Sequence, residues 1–125
     1  GEIVLGHKRN LDVIPSAVFT MPECAMVGLT EEQCKAQGLD FCINKSTFRA
    51  NGKAVAMGET DGMVKIISET STGRLLGCHI CGPHAADLVT EAALAMSSSL
   101  TVEAIAGTIH AHPTLSETVR NALMY

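Results

Sequence analysis

At 125 residues, 46% apolar and 18% charged, the chain is long enough for one domain with a real core and too hydrophobic for disorder. Its net charge of -4 is spread without long runs, which argues against a nucleic-acid or anionic-lipid partner. No apolar run reaches bilayer-spanning length and no charged, cleavable leader opens the chain, so no membrane association is expected.

Five cysteines, Cys24, Cys34, Cys42, Cys78 and Cys81, are odd in number and irregularly spaced in a chain that can build a core without staples. Reduced thiols in a cytoplasmic protein are the expected state. Residues 1 to 12 lack a settled period and end in charge, and read as a linker or the tail of a preceding unit. The domain proper is expected over residues 13 to 125. Both ends, Gly1 and Tyr125, read as cut, which makes a fragment of something longer the expectation.

From Pro15 to Pro22 β-branched and aromatic residues alternate with polar ones, predicting one strand interrupted at the second proline. Thr30 and Gln33 have capping-box spacing and Gly38 supplies a left-handed stop, predicting a helix from about 31 to 37. Residues 40 to 48 alternate again. After "RANGKAVAMGE", the Asp61-Gly62 pair introduces a strand over 63 to 69, and a turn at Ser71 to Gly73 leads into another over 74 to 82. These make an antiparallel meander of at least three strands.

The period turns helical from His84 to Ser98. Leu88, Val89, Ala92, Ala95, Met96 and Ser99 fall on one stripe, while Asp87, Glu91 and Ser98 fall elsewhere. A shorter helix follows Thr101 and a last one follows Pro113. Strands grouped first and helices last predict an α+β domain, an antiparallel sheet with helices packed on one face.

Cys78-His79-Ile80-Cys81 raises a redox or zinc reading, since two thiols three apart at a helix N-terminus exchange disulfides readily. The context is a strand, however, where side chains at odd separation point to opposite faces, and no second CxxC or HxxxH completes four ligands. One thiol of Cys78 and Cys81 packed in the core and the other on the opposite face is the expectation, with no metal site. His79 and His84 read as surface residues. Dinucleotide and phosphate motifs of the glycine-rich kinds are absent from the sequence.

The stretch "HAHPTLSE", 110 to 117, carries two readings. Thr114 and Glu117 have capping-box spacing for a helix that Pro113 starts. Alternatively, Glu117, held ionised by the helix N-terminus, orients His112 as the base of an acid/base pair. Spacing alone leaves both open. His110 reads as structural support or surface.

The stretches "IPSAVFTMPECAMVG", "GMVKII", "GRLLGCHICGPHAADLV" and "HAHPTLSE" together resemble the C-terminal interface (dimerisation) domain of the flavin-dependent pyridine nucleotide-disulfide oxidoreductases. The last stretch looks most like the dihydrolipoamide dehydrogenase branch. The resemblance implies catalytic roles for His112 and Glu117 at the redox disulfide of a homodimer partner, with His112 and a cis Pro113 near that subunit's flavin. It also implies FAD and NAD in the full-length enzyme, dihydrolipoamide as substrate, and no cofactor on this stretch, because the family's redox cysteines and nucleotide fingerprints lie upstream. By itself the chain is then expected to be inactive. A free-standing interaction module with the same fold, another disulfide reductase of the family, and a small thiol or zinc protein using Cys78, Cys81 and His84 are the alternatives.

Overall fold

The computed structural model describes Gly6 and residues 11 to 124, so the linker expected over 1 to 12 lies almost wholly outside the described residues. Strands β1 (Ser16–Val18), β2 (Glu23–Gly28), β3 (Phe41–Thr47), β4 (Met63–Glu69) and β5 (Leu75–Gly82) form one sheet in the order β1-β2-β5-β4-β3. Every pairing is antiparallel, and β3, β4 and β5 run as the expected meander.

The stretch expected as one interrupted strand is two, β1 and β2, separated at Phe19 to Pro22. Proline has no N–H to give to a ladder. Pairing resumes at Glu23 and continues to Gly28 against β5. The Met21-Pro22 bond is cis.

Alternation along the strands sets the two faces of the sheet. Val27, Val64, Ile66, Cys78 and Ile80 are buried in one apolar cluster against three helices, α3 (Ala85–Ser97), α4 (Val102–Ala106) and α5 (Ser116–Leu123). Each Val or Ile removed from water contributes roughly 1.5–3 kcal/mol. Along α3 the buried residues Ala85, Val89, Ala92, Ala93 and Ala95 let that helix lie close on β2 and β5. Ser99, expected on this stripe, is exposed with a φ of 53°, because the helix ends at Ser97 and the chain turns away.

The remaining two helices behave differently from each other. α1 (Glu31–Ala36) carries the full predicted capping box: the Gln33 N–H donates to Thr30 Oγ1 at 3.2 Å and the Thr30 N–H donates to Gln33 Oε1 at 2.9 Å. It buries Cys34 against Ile67 and Leu76 at one end of the opposite face of the sheet. α2 (Gly52–Met57), which the periodicity does not announce, follows a 3-10 turn at Phe48–Ala50. Asn51 caps it by accepting the Ala54 N–H at 3.0 Å, and Gly58 closes it in the left-handed region at φ 73°. Among the described residues no helix is long and apolar enough to cross a membrane.

One buried polar atom stands out in α5. Thr118 Oγ1 is sealed in the core and has no hydrogen-bond partner among the described residues. An unpaired buried hydroxyl is unfavourable, so Thr118→Val, which keeps the shape, is expected to stabilise the domain by about 1 kcal/mol or leave it unchanged. Urea unfolding reads this directly; a loss of stability would mean that the hydroxyl is satisfied.

Candidate functional site

The site lies on the loop between α4 and α5, and three separate anchors hold that loop. Arg120 Nε donates to the Ala106 carbonyl at 3.2 Å, tying α5 to the end of α4. Asn51 Nδ2 donates to the Thr114 carbonyl at 2.9 Å, so the residue that caps α2 also holds the start of the last helix. His110 is the third anchor. Its Nδ1 lies 2.9 Å from the Thr108 carbonyl and its Nε2 lies 2.6 Å from Glu91 Oε1 on α3, with the side chain only 7% exposed. Of the two readings for His110, structural support is the one this geometry matches. Sequence reasoning gave Glu91 and Asn51 no role, because each acts through a partner far along the chain.

Between these anchors His112 projects outward. Its side chain is 78% exposed, and Nδ1 lies 3.0 Å from Glu117 Oε1 and 3.2 Å from Oε2. The His112-Pro113 bond is cis. Glu117 sits in the first turn of α5 with its side chain 23% exposed, and its carboxylate also accepts the Thr114 N–H at 2.9 Å. That backbone bond first, and the His112 bond next, hold its carboxyl below the ordinary carboxylate range.

Only half of the expected capping box forms here. Glu117 takes the Thr114 N–H, but the Thr114 hydroxyl donates to the Ala111 carbonyl at 2.7 Å and accepts from the Ser116 hydroxyl at 2.9 Å. The helix begins at Ser116, after Leu115, which has helical backbone and no side-chain cap. Glu117 therefore serves the loop and the imidazole together.

A carboxylate on Nδ1 has a definite chemical consequence. It favours the tautomer with the proton on Nδ1, leaves Nε2 with its lone pair, and stabilises the imidazolium that forms when Nε2 takes a proton. The pair can thus carry a proton to or from a group brought up from outside the domain. His112 and Pro113 are both exposed.

The cysteines separate as the strand argument requires. Cys78 is buried in the core, and burial first, with the charge of Glu91 next, pushes its thiol up to about 12. Cys81 lies on the opposite face, so the two cannot act as one pair. His79 Nε2 is 2.9 Å from the Leu29 carbonyl, and exposed His84 is 3.4 Å from Asp87. No cluster of three or more His, Cys, Asp or Glu suited to a metal forms among the described residues. Native protein treated with iodoacetamide at pH 8 is expected to be labelled at Cys24 and Cys42, with Cys78 unlabelled; labelling at Cys78 before unfolding would show that the core opens.

In fold, the chain matches the HOCl-induced flavoprotein disulfide reductase RclA from Escherichia coli with a TM-score of 0.87 and 27% identity, over 98% of this chain and 29% of that one. The sheet and its helix layer therefore define a module of the flavoprotein disulfide reductase class. The family model for the pyridine nucleotide-disulphide oxidoreductase dimerisation domain matches residues 14–123, and the chain belongs to that family. It is 47% identical to dihydrolipoyl dehydrogenase from Chlamydia muridarum over 116 residues, 91% of this chain and 25% of that protein. It is 51% identical to mitochondrial dihydrolipoyl dehydrogenase from Mus musculus over 113 residues, 90% of this chain and 22% of that protein. The chain thus spans about a quarter of the length of the curated relatives it matches.

Proposed function

We propose that the chain is the dimerisation domain of a dihydrolipoamide dehydrogenase, and that it lends an acid/base pair, His112 and Glu117, to the redox disulfide and flavin of the partner subunit in a homodimer. The observation that carries this is the geometry of the pair: an imidazole 78% exposed with Nδ1 3.0 Å from a carboxylate that the backbone also holds. An orienting carboxylate on one ring nitrogen and an open second nitrogen is the arrangement a general base needs. Exposure favours action on a neighbouring unit. The relatives at 47% and 51% identity, both dihydrolipoyl dehydrogenases, support this choice among disulfide oxidoreductases.

In this mechanism His112 Nε2 takes a proton from a thiol of dihydrolipoamide, because the thiolate is the attacking species. Glu117 holds the ring in register and balances the imidazolium, which then faces the thiolate left on the partner subunit. The second dihydrolipoamide thiol then loses its proton and displaces the partner's sulfur from the mixed disulfide, lipoamide leaves as a cyclic disulfide, and Nε2 gives its proton to solvent when the partner's disulfide re-forms. FAD, when bound in the whole enzyme, would supply the two-electron relay between the partner's thiol pair and NAD. In the assembled dimer His112 and Pro113 would stand beside that flavin, and the chain alone would bind neither cofactor and be inactive. The odd, irregular set of five cysteines supports a reducing, cytoplasmic setting.

The test is to purify the complete product of the gene and assay it. A yellow dimer that oxidises dihydrolipoamide with NAD is the expected result. A product without bound flavin or such turnover would overturn the proposal.

A further inference from the structure

A second pair of polar side chains meets on the face of the sheet opposite α3, α4 and α5, and the proposed acid/base mechanism makes no use of it. Cys24 of β2 stands directly opposite Cys81 of β5, and the two Sγ atoms lie 3.3 Å apart, within hydrogen-bonding reach. Directly opposed residues of antiparallel strands have Cα atoms about 4.5–5.5 Å apart, inside the range of about 4.4–6.8 Å that a disulfide requires. Cys24 is exposed and Cys81 is half-buried, so the pair is open to a small molecule from the Cys24 side.

The other three cysteines lack this arrangement. Cys34 and Cys78 are buried, and burial raises both thiols. Cys42 is exposed on β3, but its neighbour is a serine: Sγ lies 3.1 Å from Ser68 Oγ. The two facing thiols also line an open depression of about 380 Å³ with Met26, Met63, Lys45 and Lys65. That volume falls within the usual range of roughly 300–1,000 Å³ for small-molecule sites. Lys65 is already paired with Glu31 at 2.8 Å, while Lys45 is exposed and offers its charge to an acidic ligand.

We propose that Cys24 and Cys81 form a dithiol site that acidic low-molecular-weight disulfides oxidise reversibly to an intramolecular disulfide. Cys24, the more exposed sulfur, attacks one sulfur of the small disulfide after losing its proton, forms a mixed disulfide, and releases the first small thiol. Cys81 then loses its proton and attacks Cys24 Sγ, forming the Cys24–Cys81 bond and releasing the second small thiol. Two protein thiols and one small disulfide thus become one protein disulfide and two small thiols. The electron pair passes to the small molecule, and excess small thiol runs both steps backward. The hydrogen bond to Cys24, then burial, holds the Cys81 thiol above its ordinary value, which agrees with Cys24 reacting first.

The experiment equilibrates the complete gene product with oxidised and reduced glutathione at varied ratios, quenches it in acid, alkylates the free thiols, and maps non-reduced peptides by mass spectrometry. The expected result is a peptide pair joined through Cys24 and Cys81, two hydrogens lighter than its parts, that disappears in excess reduced glutathione. Cys24→Ser should leave Cys81 unmodified, and Cys81→Ser should trap glutathione on Cys24. Wild-type protein with glutathione retained on Cys24 beside a free Cys81 would overturn the proposal. So would a Cys24 that stays fully reduced in excess oxidised glutathione, or a link from either cysteine to Cys42.

Discussion

His112→Gln in the complete enzyme is expected to slow dihydrolipoamide oxidation by about 10²–10⁴-fold while leaving flavin bound, the range that a positioned general acid/base supplies. Glutamine can still hydrogen-bond to Glu117, but it cannot take a proton at the position of Nε2. The side chain is 78% exposed and is absent from the buried core, so the domain should fold normally and the loss should fall on turnover. Steady-state assay with dihydrolipoamide and NAD, alongside the flavin absorbance of the same sample, separates the two. Turnover within a few-fold of the wild type would remove His112 from the chemistry.

The largest effect on stability is expected at Phe48. It is fully buried at the 3-10 turn, and its ring lies so close to Gly82 of β5 that a Cβ at Gly82 would overlap it. Phe48→Ala should destabilise the domain by about 3–5 kcal/mol, a large share of the 5–15 kcal/mol that typically holds a domain together. Three residues on, Asn51 caps α2 and donates to the Thr114 carbonyl, so the cavity also loosens a support of the His112 loop. Phe19→Ala makes the control: Phe19 is 78% exposed and its loss should change stability by no more than about 0.5 kcal/mol. Urea unfolding of the two variants should therefore differ sharply, and similar midpoints would contradict this placement of Phe48.

What the sequence makes legible follows from the range of each signal. Strand alternation and the Asp61-Gly62 turn predict β4 over the same seven residues that form it, and the Thr30/Gln33 spacing predicts both bonds of the α1 cap. These are local patterns with a local physical cause. α2 is missed because Gly52 to Met57 is too short to show an apolar stripe, although Asn51 before it and Gly58 after it are the start and stop signals that could have found it. At α5 the same capping spacing predicts a box that only half forms, since the Thr114 hydroxyl finds the Ala111 carbonyl first.

The His112–Glu117 contact lies within reach of sequence reasoning because the two are only five positions apart, with a proline between them. The contacts that hold their loop do not. Glu91 meets His110 across 19 positions, and Asn51 meets Thr114 across 63, distances at which no periodicity links one side chain to another. Cys24 and Cys81 are 57 apart, and only the register of β2 on β5 makes them neighbours.

Subunit mixing tests the shared site most directly. Subunits carrying His112→Gln but intact redox cysteines are combined with subunits that keep His112 but lack the redox cysteines the family carries upstream. Either subunit alone, as a homodimer, should be inactive. If His112 and Glu117 serve the partner subunit, each mixed dimer holds one complete site and dihydrolipoamide oxidation returns. Mixed dimers that stay as inactive as their parents would show that no site is shared across the interface and contradict the account.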